Sequence, residues 1–241
     1  MELKIHTYTN IGGQKKNEDY LEYYCDDKKS IFVLADGLGS HGNGEIASSL
    51  ITQSILSELK ELQVIEQAEL EAAFYKANLT LDKKRKESEQ TGMLTTAVAL
   101  AICENRAVWG HVGDSRLYFI ADNELEGVTR DHSVTYKKYL SGDISYHDIN
   151  TDEDRSSLLN TFGNAERYHP EFIDIPQVIK EGDAFLLCSD GFWECVYDEE
   201  ILIDFLKSDT PEQWVNYMLL RHIKRTKPVN DSYSLLAVFV E

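Results

Sequence analysis

Two apolar runs in this 241-residue chain end in the same dipeptide. Ile31 to Ala35 leads into Asp36-Gly37, and Ala184 to Ser189 leads into Asp190-Gly191. A third carboxylate, Asp231, stands just ahead of the last apolar run, Leu235 to Val240. Short apolar runs bounded by turn-forming residues read as buried strands, so these acids sit at strand ends. A sheet that gathers the ends brings like charges together, and each close pair repels by about 4 kcal/mol at an effective dielectric near 20. A cation among them removes that cost, and divalent ions that take hard oxygen ligands are its natural form.

Other strand signals are Leu3 to Thr9, Tyr20 to Cys25, Thr95 to Cys103, Arg106 to Val112 and Arg116 to Ile120. Tight turns such as Cys103-Glu104-Asn105-Arg106 join neighbours, which implies antiparallel pairing, because parallel neighbours need a crossover. Gly44 to Leu59 and Glu66 to Lys86 carry apolar residues near the helical period, and further helices are expected around Glu199 to Leu206 and Pro211 to Lys224. The polar stretch from Asp131 to Asn150 reads as short helices or a flap. Helices that arrive in pairs, between strands joined by short turns, predict a layered α+β sandwich over a doubly wound parallel sheet. No stretch rich in Pro, Gly or Ser offers a linker, so residues 1–241 are expected to form a single domain.

Charge limits the partners. With 24 basic and 42 acidic residues the net charge is −18, which opposes a hold on a nucleic-acid backbone. The N-terminal MELKIHTYTN has no apolar core of a signal peptide, and no window is apolar enough to span a membrane, so a cytoplasmic protein is expected. The cysteines, Cys25, Cys103, Cys188 and Cys195, lie far apart and read as reduced, packed thiols.

The loop DGLGSHGNGE, Asp36 to Glu45, contains a formal GxGxxG at Gly37, Gly39 and Gly42. Asp36 would set a carboxylate against a pyrophosphate, which disfavours a dinucleotide site. In a metal loop, Asp36 offers its carboxylate and Gly37 its carbonyl. His41 lies in the same loop with no apolar face to hide in, and an imidazole there can pass a proton to a leaving group at neutral pH. His6, His147, His169 and His222 read as ordinary surface or core residues.

Six segments in order, KKNEDY (Lys15 to Tyr20), DGLGSHGNGEIAS (Asp36 to Ser48), HVGDSRLY (His111 to Tyr118), TRDHS (Thr129 to Ser133), GDAFLLCSDGFWECV (Gly182 to Val196) and NDSYSLLAVFV (Asn230 to Val240), resemble the successive motifs of the type-2C, metal-dependent (PPM) protein serine/threonine phosphatases. The likeness runs from near Thr7 to the end of the chain. It implies a four-layer αββα sandwich with two Mn²⁺ or Mg²⁺ ions at one end of two sheets. By resemblance, Asp36 bridges both ions, Gly37 supplies a carbonyl, Asp190 and Asp231 hold the second ion, and Glu18 and Asp19 hold metal-bound waters. Asp114 resembles the residue that binds a third, weaker ion in bacterial members, although a turn residue between two strands is an equal reading. Asp131 and His132 read as caps of the following helix. The implied activity is hydrolysis of phosphoserine and phosphothreonine in proteins by a water that two cations acidify, with His41 as the candidate general acid. The substrates would be phosphorylated proteins, products of a Ser/Thr kinase, and the enzyme a monomer that needs neither nucleic acid nor membrane.

One departure matters most. Where family members carry an arginine that grips the substrate phosphate, this chain has Gln14, and Lys15 or Lys16 would have to compensate. Losing a charge-assisted pair costs about 1.5–3 kcal/mol of binding. Milder departures are Leu38 after the Asp-Gly pair, Ser40, Leu94 and Ser232. The alternative that Gln14 raises is a pseudophosphatase, a weakly active or inactive regulator that binds phosphoproteins. A nucleotide-binding oxidoreductase is a third reading, resting on the GxGxxG alone.

Overall fold

The computed structural model describes residues 1–38, 42–88, 92–173 and 177–241. Strand β3 (Lys29–Asp36) shows how the layers arise. Ile31, Val33 and Ala35 enter one apolar cluster, whereas Phe32 and Leu34 enter another, as the two-residue period of a strand requires. Both faces are buried, so a strand with almost no polar residue is the stable solution.

One sheet runs in the order β1 (Leu3–Asn10), β11 (Tyr233–Val240), β10 (Ala184–Cys188), β6 (Arg116–Ala121), β7 (Glu124–Val128). The other runs β2 (Asp19–Cys25), β3, β4 (Ala97–Cys103), β5 (Arg106–Val112), β8 (Glu171–Phe172), with β9 (Gln177–Val178) also on β5. Every strand pairing among the described residues is antiparallel, which removes the parallel sheet that a dinucleotide fold needs.

The sheets pack face to face through Phe32, Leu34, Leu100, Leu117, Phe185 and Leu236. Helices α1 (Gly44–Lys60) and α2 (Gln67–Ser88) cover the outer face of the β3 sheet through Ile51, Ile55, Leu70 and Phe74. Helices α4 (Asp190–Trp193), α5 (Asp198–Phe205) and α6 (Pro211–Arg225) cover the β10 sheet through Trp193, Ile201, Trp214 and Met218. The result is the expected αββα order. No helix among the described residues is long and apolar enough to cross a membrane.

Several expectations change. Strand β7 has glutamates at alternate positions on a sheet edge, so it lacks the apolar signal. Helix α3 (Val134–Ser141) is capped by Ser133, whose side chain accepts from the Tyr136 amide, and not by Asp131 or His132. Those two residues point into the protein instead. All four cysteines are free thiols, but only Cys188 is fully buried and Cys25 is exposed.

Candidate active site

The antiparallel pairing places the ends of β3 and β10 and the starts of β2 and β11 at the same end of the two sheets. Asp19 lies directly across from Asp36 in the β2–β3 register. The backbone of Asp36 is pinned from β4's approach: Thr96 donates its amide to the Asp36 carbonyl at 2.8 Å, and Thr95 Oγ1 donates to the same oxygen at 2.7 Å. Gly37 donates to the Glu18 carbonyl at 3.0 Å, and a Cβ on Gly37 would overlap the Gly44 carbonyl, so a side chain is excluded there. On the other sheet, Ser189 and Ser234 join β10 to β11 just before Asp190, and Ser232 donates its amide to Asp231 Oδ1 at 2.8 Å.

A cavity of about 790 Å³ opens at this end. Its lining includes Glu18, Asp36, Gly37, Asp114, Asp190 and Asp231, from five separate stretches of chain. Asp19 lies buried just behind, its Oδ2 accepting from Ser189 Oγ at 2.7 Å. Gln14, Lys15 and Lys16 line the rim, Lys16 paired with Glu45, and Gln14 Nε2 donates to Asp231 Oδ1 at 3.4 Å. His41 falls outside the described residues, as do Gly39 and Ser40.

Among the described residues, no lysine or arginine forms an ion pair with Asp19, Asp36, Asp114, Asp190, Asp231 or Glu18. The titration behaviour reflects that. Burial, then the charges of Asp190 and Asp19, hold the Asp36 carboxyl well above its usual range. Burial also raises Asp190, against a hydrogen bond with Asp36 that lowers it. Burial pushes Asp19 up to about 7 against its hydrogen bonds from Ser189 and Ser234. Asp114 is raised by burial, then by Asp190 and Asp131, and Glu18 by burial and Asp231. Asp190 Oδ1 and Asp19 Oδ1 are buried with no hydrogen-bond partner, a costly state for a carboxylate oxygen. The donor set is all oxygen, and it fits a hard divalent ion.

A different trio, His111, His132 and Glu171, brings its nitrogen and carboxylate atoms within 4.8 Å of one another. The ring geometry argues against a metal there. His132 Nδ1 accepts the Gly113 amide at 3.1 Å, so the proton sits on Nε2, which faces Glu171 Oε1 at 3.4 Å. Burial holds both imidazoles near 4, in the neutral form, and they stack at 4.5 Å.

The sequence reading missed several residues around the cavity. Trp193 donates its indole N–H to the Asp114 carbonyl at 2.9 Å. Thr96 lines the cavity and shares a hydrogen bond with Ser115 at 2.7 Å. Glu194 lies one helical turn beyond Asp190, and burial together with Asp190 pushes its carboxyl to about 7 despite Arg155 at 3.0 Å. That four-residue spacing was a readable signal. His222, buried as a core residue, places its Nε2 2.9 Å from the Gly191 carbonyl.

A family model described as protein phosphatase 2C matches residues 8–216. The chain belongs to the protein phosphatase 2C family. It is 31% identical over 188 residues to the serine/threonine phosphatase stp of Listeria welshimeri, spanning 76% of this chain and 73% of that one. The crystal structure of serine/threonine phosphatase Stp1 from Staphylococcus aureus superposes with a TM-score of 0.89 at 28% identity, over 100% of this chain and 96% of that one. The catalytic domain of the phosphatase PstP, solved in complex with two manganese ions, superposes with a TM-score of 0.83 at 25% identity, over 98% and 97% of the two chains. This protein phosphatase 2C member is accordingly a metal-dependent protein serine/threonine phosphatase.

Proposed function

We propose that the cavity hydrolyses phosphoserine and phosphothreonine in cytoplasmic proteins phosphorylated by a Ser/Thr kinase, with Mn²⁺ or Mg²⁺ held by Asp36, the Gly37 carbonyl, Asp190 and Asp231. The observation that carries the residue assignment is the convergence of carboxylates from separate stretches of chain with, among the described residues, no cationic side chain paired to them and two buried oxygens left without partners. Glu18 lines the cavity and Asp19 stands just behind it, where Ser189 fixes the Asp19 carboxylate, and they orient water at the centre. Asp114 lines the same cavity, where burial and then the charge of Asp190 raise its carboxyl, and it suits a third ion. Two ions, when bound, acidify a water and neutralise the phosphoryl oxygens during in-line displacement.

The rest of the work belongs to side chains at the rim. Lys15 and Lys16 draw the phosphate in, and Gln14 hydrogen-bonds it with a neutral amide. His41 remains the candidate for protonating the departing alkoxide. No described cysteine lines the 790 Å³ cavity, so no thiolate competes for the role of nucleophile. Residues 1–241 are read as one domain acting as a monomer.

The test is release of phosphate from p-nitrophenyl phosphate and from a phosphothreonine peptide. Turnover with Mn²⁺, abolished by EDTA, is expected. A folded, Mn²⁺-loaded protein that releases phosphate from neither substrate overturns the proposal.

A further inference from the structure

A second cavity, about 360 Å³, continues from the first and shares Gln14, Ser156, Asp190 and Asp231 with it. Three segments form its walls: the stretch from Asn150 to Ser156, the turn from Glu194 to Tyr197, and the chain leaving α6 from Arg225 to Asp231. Apart from the two aspartates shared with the catalytic cavity, its charged lining is Arg155, Arg225, Lys227 and one acid, Glu194. These three cations balance the three carboxylates of the groove's lining, whereas the chain as a whole carries a net charge of −18.

The three cations are presented differently. Arg155 Nε donates to Glu194 at 3.0 Å. Arg225 is fixed by two bonds to Glu200 and one to the Cys195 carbonyl, and its guanidinium lies 5.0 Å from the Tyr197 ring centre, which makes a flat, preset platform. Lys227 is exposed and forms no ion pair among the described residues, so its charge is available to a ligand. Lys227 belongs to an irregular segment just past the helix, where Val229 is 81% exposed at the groove's lip.

We propose that this groove binds the substrate polypeptide beside its phosphorylated residue and selects segments that carry Asp or Glu there, with Lys227 as the main specificity-determining residue. The inference rests on the phosphatase reading and deepens it. A phosphoresidue held in the first cavity must pass its flanking chain out through a continuous opening, and this groove is continuous with it. A carboxylate on that chain then meets Lys227 and the outer face of Arg225, while a basic side chain meets like charge. Exposed complementarity of this kind discriminates between partners and weakens as salt screens it.

The experiment compares three phosphothreonine peptides, alike except for acidic, neutral or basic flanks, on the wild type and on Lys227→Glu with Mn²⁺. The wild type is expected to favour the acidic over the basic peptide by about tenfold in kcat/KM at low salt, and the variant to lose or reverse that order. Equal turnover of the three peptides by the wild type, or a preference that Lys227→Glu leaves intact, overturns the inference while the phosphatase reading stands. Wild-type protein that releases phosphate from none of the peptides and not from p-nitrophenyl phosphate overturns the phosphatase reading and this inference with it.

Discussion

Two buried acidic groups lie side by side at one end of this protein, and they are built in opposite ways. Asp131 is 5% exposed and accepts both prongs of the equally buried Arg116 guanidinium, at 2.8 and 2.6 Å. Arg116 also stacks 3.6 Å over Trp193 and donates to Tyr118, whose hydroxyl passes the chain of bonds to Asp198, where Tyr146 joins it. Every charge in that network has its partner within the protein. Two residues before Arg116, Asp114 lines the cavity with Asp190, Asp36 and their neighbours, none of which is paired with a lysine or arginine among the described residues. A carboxylate with its own guanidinium is architecture. Carboxylates held together without one make the metal-free protein strained at that spot, and binding free energy from a cation is what offsets it.

The sharpest way to break this contrast is to neutralise one member of each group. Asp190→Asn is expected to reduce phosphatase turnover by about 10⁴-fold, some 5 kcal/mol of barrier, by removing a metal ligand. In EDTA the same variant should be more stable than the wild type, because a repelling charge with an orphaned oxygen has gone. Arg116→Met should do the reverse in stability, costing about 3–5 kcal/mol by leaving Asp131 buried and unpaired. Denaturant midpoints in EDTA measure both. If Asp190→Asn loses stability in EDTA as Arg116→Met does, the two groups are not different in kind.

Metal and pH sharpen the same point. Mn²⁺ at a hundred times its dissociation constant should stabilise the wild type by about 2.7 kcal/mol, with far less effect on Asp190→Asn. Without metal, Asp19 and Glu194 titrate near 7 in the folded state, above their ordinary values near 4. Between those values the folded chain keeps protons that the unfolded chain has lost, so stability is highest at the acid end of the window and falls as pH rises toward 7. A melting midpoint in EDTA that drops between pH 5 and pH 7.5, and a shallower drop with Mn²⁺ present, is the expected pattern. Metal requires the ionised carboxylates, so it stabilises the folded form most where the protons have left.

Much of the unpartnered group was legible from the chain, and the paired network was not. Asp36 and Asp190 announce themselves because apolar strands deliver them to an Asp-Gly turn, a pattern local in sequence. The four layers follow from the alternation seen in β3 and from tight antiparallel turns. Asp131, by contrast, is fifteen residues from Arg116 and eight from Tyr139, and nothing in its neighbourhood separates a helix cap from an ion-pair partner until β6 and β7 have folded together. Cap propensity is a local prior, and a buried guanidinium overrides it. The second groove was hidden for the same reason: Arg155, Arg225 and Lys227 come from segments far apart in sequence that only the folded chain brings together.

The smallest effect bears on the boundary between the two kinds of acid. Gln14 sits on the rim at the junction of both cavities and donates weakly to Asp231 Oδ1 at 3.4 Å. Gln14→Arg places a guanidinium where it meets an incoming phosphate, and a bidentate, charge-assisted contact on an exposed rim is worth about 1.5 kcal/mol, close to the low end of its range. KM for a phosphothreonine peptide should then fall about tenfold with kcat little changed, since the contact exists before and during the reaction. The opposing force is visible in the structure itself: Arg116 shows how completely an arginine claims a nearby carboxylate. If the new guanidinium turns onto Asp231 instead, the Mn²⁺ concentration for half-maximal activity rises while KM stays put, and an unpartnered acid has been converted into a partnered one. Titrating peptide and Mn²⁺ separately tells the two outcomes apart, and the expected fall in KM at constant Mn²⁺ requirement means that the bound cations hold Asp231 more firmly than an exposed arginine can.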